Sequence, residues 1–271
     1  MLEQAIDLDK DIKDIDKYTV KTVERAFQIL DCFWENGPQI GVTEVCNKLG
    51  INSNMAFRLL MTMEKAGYIS QDPSTNKFQL TLKVLQLSRV ALNAMEIRRQ
   101  SMPYLEALSR EYRAANVNLA VYEQGEVISI ARFESEKVPR TYFHIGRRLP
   151  AHATGVGKIL ISELDDAELE SVVNTRGLKK YTEKTISTLE ELKKELEKVR
   201  HEGLAWDIEE HIPGVNCVAA PIRDGARRII ASVSLSAFEI HISLEELKEA
   251  SVRLRETANS ISHVMGFYSD Y

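Results

Sequence analysis

Asn54 and Arg58 are spaced so that a helix would place both side chains on one face. Asn makes paired hydrogen bonds with adenine edges and Arg with guanine edges, so this face has the chemistry to read DNA bases. Ser53 and the backbone amides at the start of the same helix suit a phosphate. The predicted DNA-contacting set is Thr43, Ser53, Asn54, Met55, Phe57, Arg58, Lys65 and Lys77.

Different roles are expected within that set. Asn54, Met55 and Arg58 would read bases, whereas Ser53 and Lys77 would hold phosphates. A small helical subdomain could carry the same pattern, with Arg58 simply solvated. The pattern is weak evidence by itself, but a preceding helix and a following hairpin occur in the order of a winged helix-turn-helix. That order favours DNA binding.

A second group of candidate residues lies in the C-terminal half. Small residues at 151–157 open a predicted helix whose free amides could receive an anion or a carboxylate. Asp207 would add one carboxylate, and Ser234 and Ser236 point the same way because strand side chains alternate. Such a mixture of hydroxyls, amides and one carboxylate can orient a small polar ligand. Nucleotide binding is excluded because His152 and Ile159 replace residues that a Walker loop needs.

The same residues permit other interpretations. His152, Asp207, Glu209 and Cys217 could form a hydrolytic or metal site, with a cysteine nucleophile and a histidine base, but their spacing supports neither. Cys217 could be a buried strand residue, His152 a core histidine, the Glu209–Glu210 pair a solvated turn, and the strand serines could face solvent. A winged helix can also bind protein instead of DNA. We predict no catalytic residue, no metal site and no cofactor.

Periodicity and turn signals define the elements that must position the base-reading face. Apolar spacing predicts a first helix that a Gly-Pro pair ends. A second helix would be capped by Thr43 and ended by Gly50. A third would be capped by Asn52 or Ser53 and ended by Gly67. The polar turn that follows predicts a hairpin.

Four segments are expected along the chain. Residues 81–94 predict an apolar helix that Thr81 caps, and a Ser-Met-Pro sequence at 101–103 is expected to end or restart the helical region. The apolar helix would link two domains and pack against its copy in a dimer, or else be a core helix of one domain. We predict an acidic flexible leader at 1–18, a winged helix-turn-helix domain at 19–80, a linker helix at 81–94 and an effector-binding domain at 95–271.

The period of the apolar pattern changes after the linker. A hairpin is predicted around a Gln-Gly turn at 124–125, and a further strand at 141–145. The other predicted elements are helices at 156–164 and 189–202, strands at 217–222 and 229–236, and a final helix at 244–265. Antiparallel strands with interspersed helices indicate an α+β sensor-like domain.

Bulk properties narrow the class of protein. The 271 residues suffice for two domains, and 44% apolar with 28% charged residues is typical of a soluble globular protein. The sequence lacks a signal-peptide pattern, a transmembrane-length apolar run and a disulfide framework, which predicts a cytoplasmic protein without membrane partners. The formal net charge is -5, yet basic residues slightly outnumber acidic ones between 19 and 92. Such a small surplus gives weak DNA affinity per domain, so an oligomer is expected.

Three motifs together with the helix-turn-helix resemble the IclR family of bacterial transcriptional regulators. They are His-Ala-Thr-Gly-Val-Gly-Lys at 152–158, Glu-Glu-x-x-x-Gly-Val-x-Cys-Val-Ala-Ala-Pro at 209–221 and Ser-Val-Ser-Leu-Ser at 232–236. The resemblance runs from residue 19 to the end. It implies an α+β chain with a winged helix-turn-helix, a linker helix and a GAF-like α/β effector-binding domain, assembled as dimers or tetramers on palindromic double-stranded DNA operators.

The resemblance also implies a small-molecule effector, for which we expect an organic or sugar acid. The function implied is that of a sequence-specific transcriptional regulator, expected to be a repressor, whose operator binding the effector modulates. The family's usual Ser-Thr or Ser-Ser pair is replaced at the start of the recognition helix, so the operator sequence cannot be transferred. The positions carried over as effector contacts are Gly155, Val156, Asp207, Val215, Cys217, Ser234 and Ser236, with Leu149 and Thr141 as further positions.

Overall fold

The computed structural model describes residues 18–123, 125–135, 137 and 144–268. The predicted leader at 1–18 therefore lies outside the described residues except for Tyr18. The position Thr141 also lies outside them. Of the strand expected at 141–145, the described residues His144 and Ile145 lie in or beside a turn and not in a strand. The chain divides into two compact units between Ala91 and Leu92. The segment boundaries placed at residues 80 and 94 stay predictions.

The N-terminal unit packs three helices with a small antiparallel sheet. Apolar faces of all three helices and the aromatic ring of Phe78 enclose one core. The strand order is β1–β3–β2, so β2 and β3 form the hairpin. The elements are α1 (Lys21–Asn36), β1 (Gln39–Ile40), α2 (Val42–Leu49), α3 (Ser53–Lys65), β2 (Ile69–Gln71) and β3 (Phe78–Leu80). This order confirms the predicted winged helix-turn-helix.

The turns around α2 and α3 follow the sequence signals in three of four places, one of which is Gly67, just beyond the end of α3 with a φ of 79°. Gly50 ends α2 in the left-handed region, at a φ of 63°. Asn52 caps α3, because its side chain accepts a hydrogen bond from Met55 N at 2.9 Å. The predicted cap by Thr43 is wrong. Helix α2 begins ahead of that residue, after an extended Gly41 that makes no side-chain cap.

Two helices follow the hairpin. They are α4 (Lys83–Ala94) and α5 (Glu96–Glu111), and the extended backbone of Met95 separates them. No residue of α4 is buried within the described chain, although the helix is rich in apolar side chains. Among the described helices, none combines the length and the apolar character that crossing a membrane requires.

Helix α5 corrects one prediction. The expected break at 101–103 is absent, because α5 continues through Pro103 and forfeits the backbone hydrogen bond that an N–H there would donate. Leu105 and Leu108, which follow the proline, are fully buried in the core of the C-terminal unit. Burial of this face holds the helix together where the proline weakens it.

The C-terminal unit is built on a six-stranded antiparallel sheet of order β6–β5–β4–β9–β8–β7 within the described residues. Helices α5 and α9 cover one face of the sheet, and α6 packs on the other, with α8 behind it. The strands are β4 (Asn116–Glu123), β5 (Glu126–Phe133), β6 (Arg148–Leu149), β7 (Ala205–Ile208), β8 (Val215–Arg223) and β9 (Ile229–Phe238). The helices are α6 (Gly155–Ile161), α7 (Asp166–Arg176), α8 (Leu189–Glu202) and α9 (Leu244–Val264).

This architecture confirms the predicted α+β class, with most elements close to their expected bounds. The hairpin of β4 and β5, helix α8, strands β8 and β9 and the final helix all occur where the periodicity placed them. Helix α6 is shorter than predicted, since it ends at Ile161. Helix α7 and the short strands β1, β6 and β7 were missed. Helix α7 had a usable signal, because Asp165 and Glu168 form a capping box at its start.

Candidate functional site

The exposed face of α3 carries most of the side chains predicted to contact DNA. Asn54, Phe57 and Arg58 are exposed, and so are Ser53 and Lys65 at the two ends of the helix. The opposite face is fixed in the core by Ala56, Leu59, Leu60 and Met63. A well-packed helix therefore presents one amide and one guanidinium, the groups that read adenine and guanine edges.

Two members of the predicted DNA-contacting set make contacts inside the N-terminal unit. Met55 packs partly buried against the core, and its Sδ accepts a hydrogen bond from Arg25 Nη1 at 3.0 Å. Lys77 Nζ donates to Glu44 Oε1 at 3.0 Å, and this hydrogen bond lowers the pKa of Glu44. Met55 and Lys77 are therefore engaged inside the N-terminal unit, whereas Arg58 is exposed.

A small cavity in the C-terminal unit lies between α6 and the sheet. Its volume is about 30 Å³, which is room for ordered water and not for a larger molecule in this conformation. We call it the Asp207 cavity. Its described lining consists of Asn118, Leu149, Thr154, Val156, Asp207, His211, Ile212, Val215, Cys217, Ser234 and Ser236.

Strand register explains why residues so distant in sequence meet in this cavity. Asn118 pairs with Ser234 between β4 and β9, and Asn118 Nδ2 lies 3.4 Å from Ser234 Oγ. Ser236 pairs with Cys217 between β9 and β8, and Cys217 pairs with Asp207 between β8 and β7. Directly paired residues share a sheet face. The polar side chains therefore form a row across four neighbouring strands.

The lining contains every residue expected to contact an effector except Gly155 and Thr141, the latter outside the described residues. Gly155 lies directly behind it, because a Cβ there would be 3.4 Å from Cys217 Sγ and 3.2 Å from Ala219 Cβ. Its missing side chain lets α6 approach β8. Sequence reasoning missed Asn118, although a polar residue within the apolar run of β4 was a usable signal. Also missed were Thr154, His211 and Ile212.

The carboxyl group of Asp207 is the main electrostatic feature of the cavity. Its Oδ1 accepts hydrogen bonds from Glu210 N at 2.8 Å and from His211 N at 3.3 Å. Burial raises the pKa of Asp207 from 3.8 to about 7, and the nearby Glu210 charge adds to that rise. A carboxyl with this pKa exists in both protonation states at neutral pH. It can therefore donate a hydrogen bond to an anion or accept one from a neutral ligand.

Cys217 and His152 do not form a nucleophile–base pair. Burial raises the pKa of the Cys217 thiol to about 12, whereas a nucleophilic cysteine needs to be a thiolate. His152 Nε2 lies 3.0 Å from the carbonyl oxygen of Lys179, and His152 is not part of the cavity lining. Across the described ranges, no cluster of His, Cys, Asp or Glu is arranged to hold a metal ion.

Lys158 connects α6 to the segment that carries Asp207. It is fully buried, and its Nζ donates to Glu210 Oε1 at 2.5 Å, to Trp206 O at 2.8 Å and to Glu195 Oε1 at 3.3 Å. Burial raises the pKa of Glu210, although the Lys158 charge acts in the opposite direction. Lys158 thus holds a backbone oxygen and a carboxylate on either side of Asp207. In the sequence, Lys158 was only the last residue of the 152–158 motif, and no role was predicted for it.

Replacing Asp207 with asparagine is expected to stabilise the chain at alkaline pH. The side chain ionises near 3.8 when exposed and near 7 in the folded chain, so the wild type loses stability as pH rises through this window. An amide keeps an acceptor for the two N–H groups without becoming charged. We expect Asp207→Asn to gain about 1–2 kcal/mol over wild type at pH 8 and almost nothing at pH 4. Urea unfolding at both pH values measures the difference.

Asp224→Asn provides a matched control of opposite sign. Hydrogen bonds from Arg228 lower the pKa of Asp224 below its usual 3.8, so the folded chain carries this charge at both pH 4 and pH 8, and removing it is expected to reduce stability at both. Burial lowers the pKa of His211 to about 4, so this residue also titrates between the two pH values. Its contribution to stability is common to the wild type and both variants, and it therefore cancels when they are compared. An Asp207→Asn effect of equal size at pH 4 and pH 8 would contradict the raised pKa of Asp207.

Comparisons with known proteins match both units of the chain. A family model described as the bacterial transcriptional regulator IclR C-terminal domain matches residues 89–263, and the IclR helix-turn-helix model matches residues 22–73. The HTH-type transcriptional regulator XynR of Escherichia coli K12 is 32% identical, over 92% of this chain and 98% of its own length. The HTH-type transcriptional repressor AllR of the same strain is 28% identical, over 91% of this chain and 90% of its own length. The crystal structure of Thermotoga maritima IclR has a TM-score of 0.72 at 27% identity and covers 91% of this chain and 99% of that chain.

Proposed function

The chain belongs to the IclR family of bacterial transcriptional regulators, and we propose that it is a cytoplasmic repressor whose operator binding is controlled by a small organic or sugar acid. The relatives are named as transcriptional regulators and not as enzymes. The name of AllR records a repressor, which supports repression here. The observation that supports effector control is the convergence of the family's effector positions on the Asp207 cavity.

DNA recognition would use α3 in the major groove of a palindromic operator. Asn54 and Arg58 would read bases, and Ser53 at the helix start would hold a phosphate. A palindrome requires at least a dimer, and α4 offers a surface for it. Leu82, just before α4, is 80% exposed, and Leu85 and Val90 on it are 61% and 70% exposed. A second copy covering this apolar surface would place two α3 helices on successive half-sites.

Effector control would operate as a shift between two conformations of the C-terminal unit. The Asp207 cavity is too small for an organic acid in the described conformation. A ligand that binds only a widened cavity favours that state in proportion to its differential affinity. Protonated Asp207 would donate to a ligand carboxylate, while Ser234 and Ser236 would meet ligand hydroxyls. A change in the spacing of the two α3 helices would then alter operator affinity.

Asp207→Ala is expected to abolish most of the effector response while leaving operator binding intact. Removing a hydrogen bond to a charged ligand should weaken effector affinity about tenfold or more. A thermal-shift screen over organic and sugar acids would identify a stabilising ligand, since a ligand at 100 times its dissociation constant adds about 2.7 kcal/mol. Fluorescence anisotropy with an operator selected from genomic DNA then measures affinity for both chains, with and without that ligand.

Glu249→Ala is the matched control, because Glu249 is an exposed acid on α9 away from the cavity lining. It should keep both the ligand response and the operator affinity of the wild type. A folded Asp207→Ala chain with an unaltered ligand titration would remove Asp207 from the effector site. Loss of operator binding without any ligand would instead assign Asp207 a structural role.

A further inference from the structure

The C-terminal unit contains a second and larger cavity, lined by residues from β5, β6, α7 and the loops around His152 and Tyr181. Its volume is about 260 Å³, close to the lower end of the range for small-molecule sites. We call it the Arg147 cavity. It shares Leu149 and His211 with the Asp207 cavity, but Asp207, Cys217 and the strand serines do not line it.

The charge of the Arg147 cavity differs in sign from that of the Asp207 cavity. Four cationic side chains line it, against one carboxylate among its described lining residues. That carboxylate, Glu126, contacts two of the four cations, Arg148 and Arg176, the latter at 2.8 Å. Arg147 and Lys179 are the other two cations of the lining. The surplus of cations favours an anionic occupant.

The rest of the lining is apolar or aromatic. Leu169 and Leu192 line it and are buried, and the ring of Tyr181 packs edge-on against His211 with centroids 4.9 Å apart. Burial lowers the pKa of His152 and brings the pKa of His211 to about 4, so both imidazoles are neutral at pH 7. The positive charge therefore sits on the arginine and lysine side chains, beside an apolar and aromatic lining.

We propose that the Arg147 cavity is a second ligand site, which takes a monocarboxylate with a small apolar body. The carboxylate would meet the Arg147 guanidinium, which forms paired hydrogen bonds with such groups. The apolar body would lie on Leu169 and Leu192 and against the Tyr181 ring. This proposal does not depend on effector binding in the Asp207 cavity, because the lining residues that carry it are different.

Benzoate is the probe for this site, and benzamide is its neutral counterpart. Imidazole NMR of the full chain, titrated at pH 7, should show benzoate shifting the His152 and His211 signals while His201, His241 and His263 stay in place. His152 is the diagnostic signal because it lines the Arg147 cavity and not the Asp207 cavity. Benzamide should bind at least about tenfold more weakly, since it lacks the charge that pairs with arginine.

Two variants localise the binding by independent means. Arg147→Met should weaken benzoate at least about tenfold and leave benzamide unchanged, because it removes the charge and keeps the bulk. Val172→Phe, from α7, should reduce the affinity for both probes by filling the cavity. Lys194→Met, on the exposed side of α8 and paired with Glu190, is the control and should bind both probes as the wild type does.

The variant Asp207→Ala distinguishes binding in the Arg147 cavity from binding in the Asp207 cavity. Under our proposal this variant keeps wild-type benzoate affinity and the shift of the His152 signal, whatever becomes of its effector response. Benzoate binding that moves only the His211 signal and disappears in Asp207→Ala would place the probe in the smaller cavity and overturn the proposal. The absence of any benzoate-dependent shift, or equal binding of benzoate and benzamide, would also overturn it.

Discussion

Replacing Lys158 with methionine is expected to lower the free energy of unfolding by about 3–5 kcal/mol. Lys158 is fully buried, and its ammonium group contacts Glu210, Glu195 and the carbonyl oxygen of Trp206. Methionine fills nearly the same volume and donates no hydrogen bond. The Glu210 carboxylate would then stay buried without its cation. The free-energy cost of this unpaired charge exceeds the cost of losing the packing of one side chain. Urea unfolding, monitored by circular dichroism, measures this loss of stability.

A double variant separates the charge effect from packing. Lys158→Met combined with Glu210→Gln removes the buried charge along with its partner, so we expect it to recover more than half of the lost stability. Lys194→Met is the exposed control, since its partner Glu190 is also exposed, and it should stay within about 0.5 kcal/mol of wild type. Equal losses in the single and double Lys158 variants would show that packing dominates.

The Lys158 contacts also bear on the Asp207 cavity. Trp206 and Glu210, two of the groups that Lys158 Nζ contacts, stand on either side of Asp207 in the chain. Glu210 N in turn donates to the Asp207 carboxyl. One buried ammonium group therefore fixes both ends of the segment that supplies the cavity's acid. A conformational change that widens the cavity would have to move this segment against those contacts.

Local signals allowed much of the fold to be predicted from the sequence. The helix cap at Asn52 and the positive φ at Gly50 depend on neighbouring residues alone, and the structure has both. Helix α5 departs from prediction at Pro103, because tertiary burial of Leu105 and Leu108 outweighs the local preference to break. Strand β7 was missed since it is short and carries a charged residue, and it forms through pairing with β8.

The candidate site shows the same division between local and long-range information. Alternation along β9 predicted that Ser234 and Ser236 share a face, because that period is local. Their placement beside Asn118 and Asp207 depends on the register of four strands, which no single segment encodes. The ion pair between Lys158 and Glu210 spans 52 positions, so sequence periodicity gave no sign of it.

Arg58→Ala is expected to weaken operator binding by about 1–3 kcal/mol, or roughly 5–150-fold, if its guanidinium reads a guanine. Arg58 is exposed on the face of α3 opposite the core, so its removal should not disturb folding. The loss of affinity should be confined to operators that contain this guanine. The variant should therefore distinguish less well between bases at one position in each half-site. Anisotropy titrations against a selected operator and its single-base variants measure both effects.

Lys65→Ala tests whether the Arg58 effect arises from base reading or from charge alone. Lys65 belongs to the predicted DNA-contacting set and lies at the C-terminal end of α3. If its ammonium group contacts phosphate, its removal should weaken binding to all sequences alike and reduce the salt dependence of binding. Arg99→Ala, an exposed arginine on α5 paired with Glu96, should change neither. If Arg58→Ala reduces affinity equally for every base variant, Arg58 contacts phosphate, and Asn54 becomes the main base-reading residue of α3.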